Sequence, residues 1–465
     1  MVFSSFTFLL FFFIVYLLLL IFKKSHKIEK IILLSSSYFF YGYWDYRFLS
    51  LIFFSTIVDY YIGRKIFQTK NIFSKKKLLF TSMFANLGLL FFFKYFNFFI
   101  DSFNSSFSFS GIEFETLNII LPVGISFYTF QTMSYTLDIY RGKLKPANSL
   151  MDFSIFVAFF PQLVAGPIVR AIDFIPQLEK KIELNKTNLN LGFQIFLNGF
   201  FKKLFIADTL SVYVDHVFAN PSVFDSLTIW FGVIAYAVQI FCDFSGYSDM
   251  AIGIAKIFGF NLPENFRAPY LAKNITEFWH RWHISLSTWL KDYLYISLGG
   301  NRKGKIRTYI NLMLTMVLGG LWHGASWNFV IWGTLHGLGL VVHKLLLSKL
   351  LGLNNLFFSV ISWIFNMIFI LICWVFFRAE NTDFAMIMIR KMFTISEGAS
   401  FLYTKFLIFF PFIILTHIFA KYGYDRKYYT VDLTSLRGIF VIVTIIFIFI
   451  LFSPLDTSPF IYFQF

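Results

Sequence analysis

Apolar runs recur along the whole chain, separated by short polar or basic segments. A helical crossing of a bilayer needs roughly 20 mostly apolar residues. Candidate stretches lie near 2–22, 31–43, 47–63, 79–100, 117–137, 151–168, 191–207, 226–242, 308–322, 325–347, 357–377, 401–420 and 438–453. Several are short, and some would pair into one span or re-enter, so the pattern predicts about ten to twelve full crossings. The expected fold is all-α: a polytopic integral membrane protein, 1–465 forming one transmembrane domain with no soluble module attached. No internal repeat of transporter type is visible.

The first run, Val2 to Phe22, is long for a signal-peptide core, lacks a basic leader and precedes no small-residue cleavage site, so it reads as a retained span. Lys23, Lys24, Lys27 and Lys30 follow at once, which places that end in the cytoplasm and Met1 outside. Of the residues, 57% are hydrophobic and 14% charged, against about 25% charged in a soluble domain. A net charge of +15 would suit a nucleic-acid binder, but the basic residues sit in short loops beside apolar spans, as at Lys75, Lys76 and Lys77. Topology and anionic lipid explain them, so the bilayer is the expected partner and nucleic acid is not. Cys242 and Cys373 lie in apolar surroundings, which argues against a disulfide framework. The 69 phenylalanines accompany 28 lysines and 12 arginines, a bias of AT-rich coding rather than a ligand-binding stripe.

The middle breaks the pattern. From Phe260 to Arg307 the chain is polar and charged yet dense in tryptophan and tyrosine, and no helix breaker falls between Asn274 and Leu290. This predicts one or two amphipathic helices at the interface or dipping into the bilayer, ended by Gly299 and Gly300. Polar groups at membrane depth are tolerated where protein buries them or a wet cavity meets them, which makes this block the place to look for chemistry.

His323 stands in LGGLWHGASWNFVIWGTLHG, flanked by Gly319, Gly320 and Gly324. A neutral imidazole can take a proton from a hydroxyl and hand it on, and small neighbours would admit a substrate; packing glue between helices is the plainer alternative. His280 and His283, three apart, would share a helix face. No HExxH or completing carboxylate set accompanies them, so no metal is expected. His283, followed by Ser285 and Ser287, is the better second active-site histidine, with His280 and Arg281 facing headgroups or solvent. Asp243 and Asp249 lie in DFSGYSDMA at the end of an apolar span, where they could line a polar entrance or simply cap the helix and pair with an arginine. PQLVAGPIVR, Pro161 to Arg170, predicts a broken or kinked helix.

Seven blocks together resemble one family: LPVGISFYTFQTMSYTLDIYRG (121–142), FVAFFPQLVAGPIVR (156–170), DFSGYSDMAIG (243–253), ENFRAPY (264–270), ITEFWHRWHISLSTWLKDYLYISLGGNRKG (275–304), LGGLWHGA (318–325) and WVFFRAEN (374–381). They look like the membrane-bound O-acyltransferases, and within these the bacterial alginate and peptidoglycan O-acetylation membrane subunits. The likeness runs from Met1 to about Glu380. It implies a helical core of about 117–380 around a central tunnel, followed by C-terminal helices and an aromatic tail over 381–465. It places the family's catalytic histidine on His323 and the second histidine on His283, and it carries Asp243, Ser245, Asp249 and Asn265 to the tunnel lining by motif match. It further implies a cytoplasmic thioester donor such as acetyl-CoA, no bound cofactor, and a periplasmic SGNH or serine-hydrolase-like transferase that completes transfer. The bacterial inner membrane is the implied location. The ending PFIYFQF resembles an aromatic tail found on some members and on a small partner peptide of the teichoic-acid D-alanylation system. Tyr462 would then be an acyl relay activated by His323, since a free phenol has a pKa of about 10; an interfacial anchor is the plainer alternative. The expected reaction is O-acetylation of an extracytoplasmic polysaccharide, peptidoglycan before alginate or another exopolysaccharide. A permease with a histidine proton relay is the rival from another class.

Overall fold

The computed structural model describes residues 1–465 apart from 112, 165, 348–355, 405, 422–430, 434, 453–459 and 462–465. Among the described residues the regular elements are helices, and the β pairing consists of an isolated parallel bridge between Phe224 and Ala399. Four described helical runs are long and apolar enough to cross a bilayer: Ile72–Ser106, Ser226–Ile257, Trp327–Leu346 and Leu356–Arg378. The first is mostly exposed and the second mostly buried. Phe73, Phe80 and Phe84, each at least 70% exposed on the first, are the surface expected where lipid replaces water as the neighbour. The chain falls into two compact units.

One unit comprises Met1–Phe196 and Met250–Pro263. Its opening helices, Phe6–Ile21, His26–Asp45, Leu49–Gln68 and Ile72–Leu90, follow the apolar pattern. Side chains of Ser5, Ser25 and Asn71 accept backbone N–H bonds at three of their starts, as N-caps do. Buried Asp59 accepts bonds from Ser82 Oγ at 2.5 Å and Asn86 Nδ2 at 2.8 Å, and Asn86 Oδ1 accepts from Ser55 and Thr132. These bonds tie three helices together through polar groups, the device apolar surroundings leave available when hydrophobic contrast is weak.

One expectation is corrected in this unit and another is extended. The stretch 117–137 is helical only from Ile125, because Pro122 disfavours helix in the residue before it and Gly124 turns the chain at φ 77°. A Cβ on Gly124 would lie 2.7 Å from the Leu163 carbonyl oxygen. The break predicted over Pro161 to Arg170 is present, since helix Phe160–Leu163 ends there and the next helix starts at Ala171; a further break stands at Phe159 (φ −50°, ψ 106°), between helices Leu150–Ala158 and Phe160–Leu163. Pro161 has no N–H to continue the first ladder, so it sits in the opening turn of the next helix, where none is required.

The other unit comprises Leu197–Asp249 and Glu264–Phe465. It contains residues 226–249 of the helix Ser226–Ile257, which runs 15 residues past the predicted end at 242. The motif DFSGYSDMA is therefore helix interior, and each of its residues from Asp243 to Met250 is buried. Gly246 permits this: a Cβ there would lie 2.7 Å from the Gly199 carbonyl oxygen and 3.0 Å from the Lys203 nitrogen. The close approach brings the π-helical turn Phe201–Ala207 and its lysines against the aspartates.

A glycine seam also fixes the pair of helices Lys305–His323 and Trp327–Val342. A Cβ on Gly320 would strike the Phe329 carbonyl oxygen, one on Gly333 the Met316 carbonyl oxygen, and one on Gly324 the Phe329 ring. Close packing through small residues is the usual way membrane helices associate. Between these helices Ser326 Oγ accepts from the Asn328 nitrogen and starts the second one.

Candidate active site

The polar aromatic block forms two helical pieces, within the expectation of one or two. Helix Ile275–Arg281 begins at Asn274, whose Oδ1 accepts from the Glu277 nitrogen at 2.9 Å, and it stops before Trp282. His283 then adopts left-handed backbone (φ 42°, ψ 55°), and helix Ile284–Trp289 continues through a π-helical turn, Leu290–Tyr295. The positive φ angles of Gly299 and Gly300 close the block as expected. His280 and His283 thus do not share a helix face: His280 is exposed and His283 fully buried. A histidine in the left-handed region costs roughly 1–2 kcal/mol, and such conformations gather at functional sites.

Asn265 holds that strained segment in place. Its backbone carbonyl accepts from the Ile284 nitrogen at 3.0 Å, and its Oδ1 accepts from Ser285 Oγ at 2.6 Å and the Ser285 nitrogen at 3.3 Å. Its Nδ2 donates to Ser248 Oγ at 3.0 Å, linking the block to the helix Ser226–Ile257. Asn265, which the resemblance carries to the tunnel lining, braces the backbone beside His283.

His323, 3% exposed, is the last residue of its helix. Its ring centroid lies 6.4 Å from that of His283. Aromatic rings close around the two: Trp332 at 4.9 Å, Trp322 at 5.1 Å and Phe377 at 5.3 Å from His323, with Phe244 at 4.6 Å from His283. Asn328 secures the wall by donating to the Ala379 carbonyl at 2.9 Å and accepting from Thr382 Oγ1 at 2.9 Å. Two imidazoles at this spacing, walled from water by indole and phenyl rings, can exchange a proton with one reacting hydroxyl or leaving group.

The aspartates face lysines rather than the arginine expected at a helix end. Lys203 Nζ lies 2.7 Å from Asp208 Oδ1 and 2.6 Å from Asp243 Oδ1, with the three side chains no more than 3% exposed. Asp249 Oδ2 takes Lys202 Nζ and Asn198 Nδ2, each at 2.8 Å. Ser245 Oγ is buried and has no hydrogen-bond partner among the described residues. Lys202, Lys203 and Asp208 were missed by motif reasoning, although paired lysines inside the apolar run 191–207 are an intramembrane charge signal. Trp332, Phe377 and His336, the last edge-on to Trp332 at 4.5 Å, carried no separable signal among so many aromatics.

Part of the aromatic ending reaches this site. Phe460 and Ile461 are buried, with the Phe460 ring 4.6 Å from Tyr247 and 5.9 Å from Phe244. The Ile461 nitrogen donates to Asp243 Oδ2 at 3.0 Å. Tyr462, one peptide bond further, lies outside the described residues. Among the described residues no cluster of three His, Cys, Asp or Glu side chains forms a metal-binding group.

A helical membrane chain enclosing two buried histidines in an aromatic chamber has the features of an intramembrane group-transfer enzyme. Residues 144–384 match the membrane-bound O-acyltransferase family, and the matched span holds His283, His323, Asp243, Ser245, Asp249 and Asn265. The chain is 45% identical over 367 residues to a Pseudomonas putida protein named probable alginate O-acetylase, covering 77% of this chain and 73% of that one. It is 39% identical over 378 residues to the peptidoglycan O-acetyltransferase of Helicobacter pylori, covering 76% and 71%. A teichoic acid D-alanyltransferase of Bacillus subtilis is 31% identical over 231 residues, 47% of this chain and 58% of that one. The chain belongs to the membrane-bound O-acyltransferase family, as a polytopic membrane acyltransferase.

Proposed function

We propose that this acyltransferase carries acetyl from a cytoplasmic thioester, acetyl-CoA, across the bacterial inner membrane for O-acetylation of an extracytoplasmic polysaccharide. The supporting observation is the buried pair His283 and His323, with Phe460 and Ile461 packed against the same chamber through Phe244 and Asp243. In this reading His323 is the general base and His283 positions donor or acceptor. Tyr462 is the transient carrier: its phenol oxygen attacks the thioester carbonyl while His323 accepts the phenolic proton. The tetrahedral intermediate collapses, the C–S bond breaks, and the thiolate takes the proton from the imidazolium. The products are an acetyl-tyrosine ester and free thiol, so atoms and charge balance.

A periplasmic SGNH or serine-hydrolase-like partner then attacks the ester carbonyl, frees the phenol and passes acetyl to a sugar hydroxyl. Met1 lies outside and the lysine cluster after the first span inside. Peptidoglycan is the acceptor we favour, from the AT-rich composition. Alginate or another exopolysaccharide is the second reading, favoured by the higher identity to the alginate O-acetylase. Replacing His323 with alanine should abolish polysaccharide acetylation at an unchanged protein level. Retained acetylation would remove the catalytic reading, and substrate uptake by proteoliposomes without donor turnover would support a permease instead.

A further inference from the structure

The buried ion group Asp208–Lys203–Asp243 has no place in the chemistry just described, yet it is an expensive feature to keep. Two carboxylates and one ammonium carry a formal charge of −1, with each side chain no more than 3% exposed. Buried ionic groups are weak devices for stability and are retained where they fix a particular arrangement. Lys203 occupies one oxygen of Asp243, leaving Oδ2 as the acceptor that takes the Ile461 N–H at 3.0 Å. That N–H thus meets the carboxylate oxygen that Lys203 leaves open. Phe460, against Tyr247 and Phe244, supplies the apolar half of the same contact. Phe244 in turn stands edge-on to His283 at 4.6 Å.

We infer that the Asp208–Lys203–Asp243 group is a clamp that seats the Phe460–Ile461 segment beside the histidine chamber, with Lys203 orienting Asp243 and Asp243 gripping the segment's backbone. These are positioning residues: they act through the segment that Asp243 holds. The inference deepens the proposed function, because a carrier at Tyr462 needs a fixed approach to His323. The grip is on a backbone N–H, so the hydrogen bond survives a conservative change of the buried side chain at 461.

The test places a single cysteine at position 460 (Phe460→Cys) in full-length protein whose Cys242 and Cys373 are alanine, and measures labelling by a membrane-permeant maleimide. The cysteine should react slowly in that background and at least about tenfold faster after Asp243→Ala, a shift of about 1.4 kcal/mol in the seated population. The triple variant Asp208→Asn, Lys203→Met, Asp243→Ala removes the buried charge, keeping the fold testable if Asp243→Ala alone proves unstable. It should label equally fast. Ile461→Val, which keeps the backbone N–H and most of the buried side chain, should leave labelling close to that of the background. Unchanged labelling in both clamp variants, in protein of native melting behaviour, overturns the clamp. Fast labelling with acetylation retained upholds the clamp and instead removes the tyrosine carrier.

Discussion

The glycine seam between helices Lys305–His323 and Trp327–Val342 allows a quantitative prediction. In Gly320→Ala the added methyl would overlap the Phe329 carbonyl oxygen and press on Gly333 Cα at 3.1 Å. Ordinary contact needs about 3.5 Å, so the helices must part by roughly 1 Å. Neither obstacle is the free end of a flexible side chain: both are backbone, and neither can rotate away. Overpacking of this kind costs typically about 1–3 kcal/mol. His323 lies three residues on, on the same helix, while Trp332 at 4.9 Å belongs to the opposing one. Parting the seam therefore moves the proposed base relative to its wall. A displacement near 1 Å at a reacting centre can cost about 100-fold in rate. The assay is donor turnover by purified protein in proteoliposomes, alongside a thermal melt followed by size-exclusion chromatography. Turnover should fall by one to two orders of magnitude, and the melting temperature should drop. Wild-type turnover with an unchanged melt would refute the packing argument. Gly304, with open space around its Cβ but φ 86°, is a useful contrast: alanine there should strain the backbone without touching the seam.

Further outcomes follow from the same geometry. Asn265→Ala should lower turnover more than stability, because it frees the segment beside His283, while Asn265→Asp keeps the acceptor for Ser285 and should restore part of it; equal activity in all three forms would contradict the bracing role. Arg378→Ala should shift the melt little, since its partner Asp215 is 56% exposed and such pairs are worth about 0–1 kcal/mol. Asp225 accepts from the Thr228 nitrogen at 2.8 Å, and this bond holds its carboxyl below the usual carboxylate range. A depressed native pKa stabilises above the unfolded value and is lost as pH falls through the native one. Asp225→Ala should thus melt lower than wild type at neutral pH, with the gap closing as the solution becomes acidic; a gap independent of pH would contradict it.

Much of the architecture was legible because apolar length and helix propensity act locally. The starts and ends of helices such as Lys305–His323 and Leu356–Arg378 fall within three residues of the apolar runs. What escaped depended on partners distant in sequence. The helix through Asp243 and Asp249 looked finished at 242 because its charges looked solvent-bound; Lys203 and Lys202, some 40 residues earlier, neutralise them. The turn at His283 was invisible because no glycine or proline marks it. Its cause is tertiary, in the bonds from Asn265 to Ile284 and Ser285. His323 and His283 stood out by motif, whereas their closeness and aromatic walls required the fold. The ending PFIYFQF suggested a route to the histidines; Phe460 packs on Phe244, which borders His283, and the Asp243 and Tyr247 contacts that hold the segment required the fold.

The most direct test of His323 as base is mass spectrometry of the peptide containing Tyr462 after the reconstituted protein meets isotopically labelled acetyl-CoA. Wild-type protein should carry a labelled acetyl ester on Tyr462 that hydroxylamine removes, and His323→Ala protein, equally folded, should carry none. Equal ester in the alanine variant would contradict the account, as would wild-type donor turnover in Tyr462→Phe.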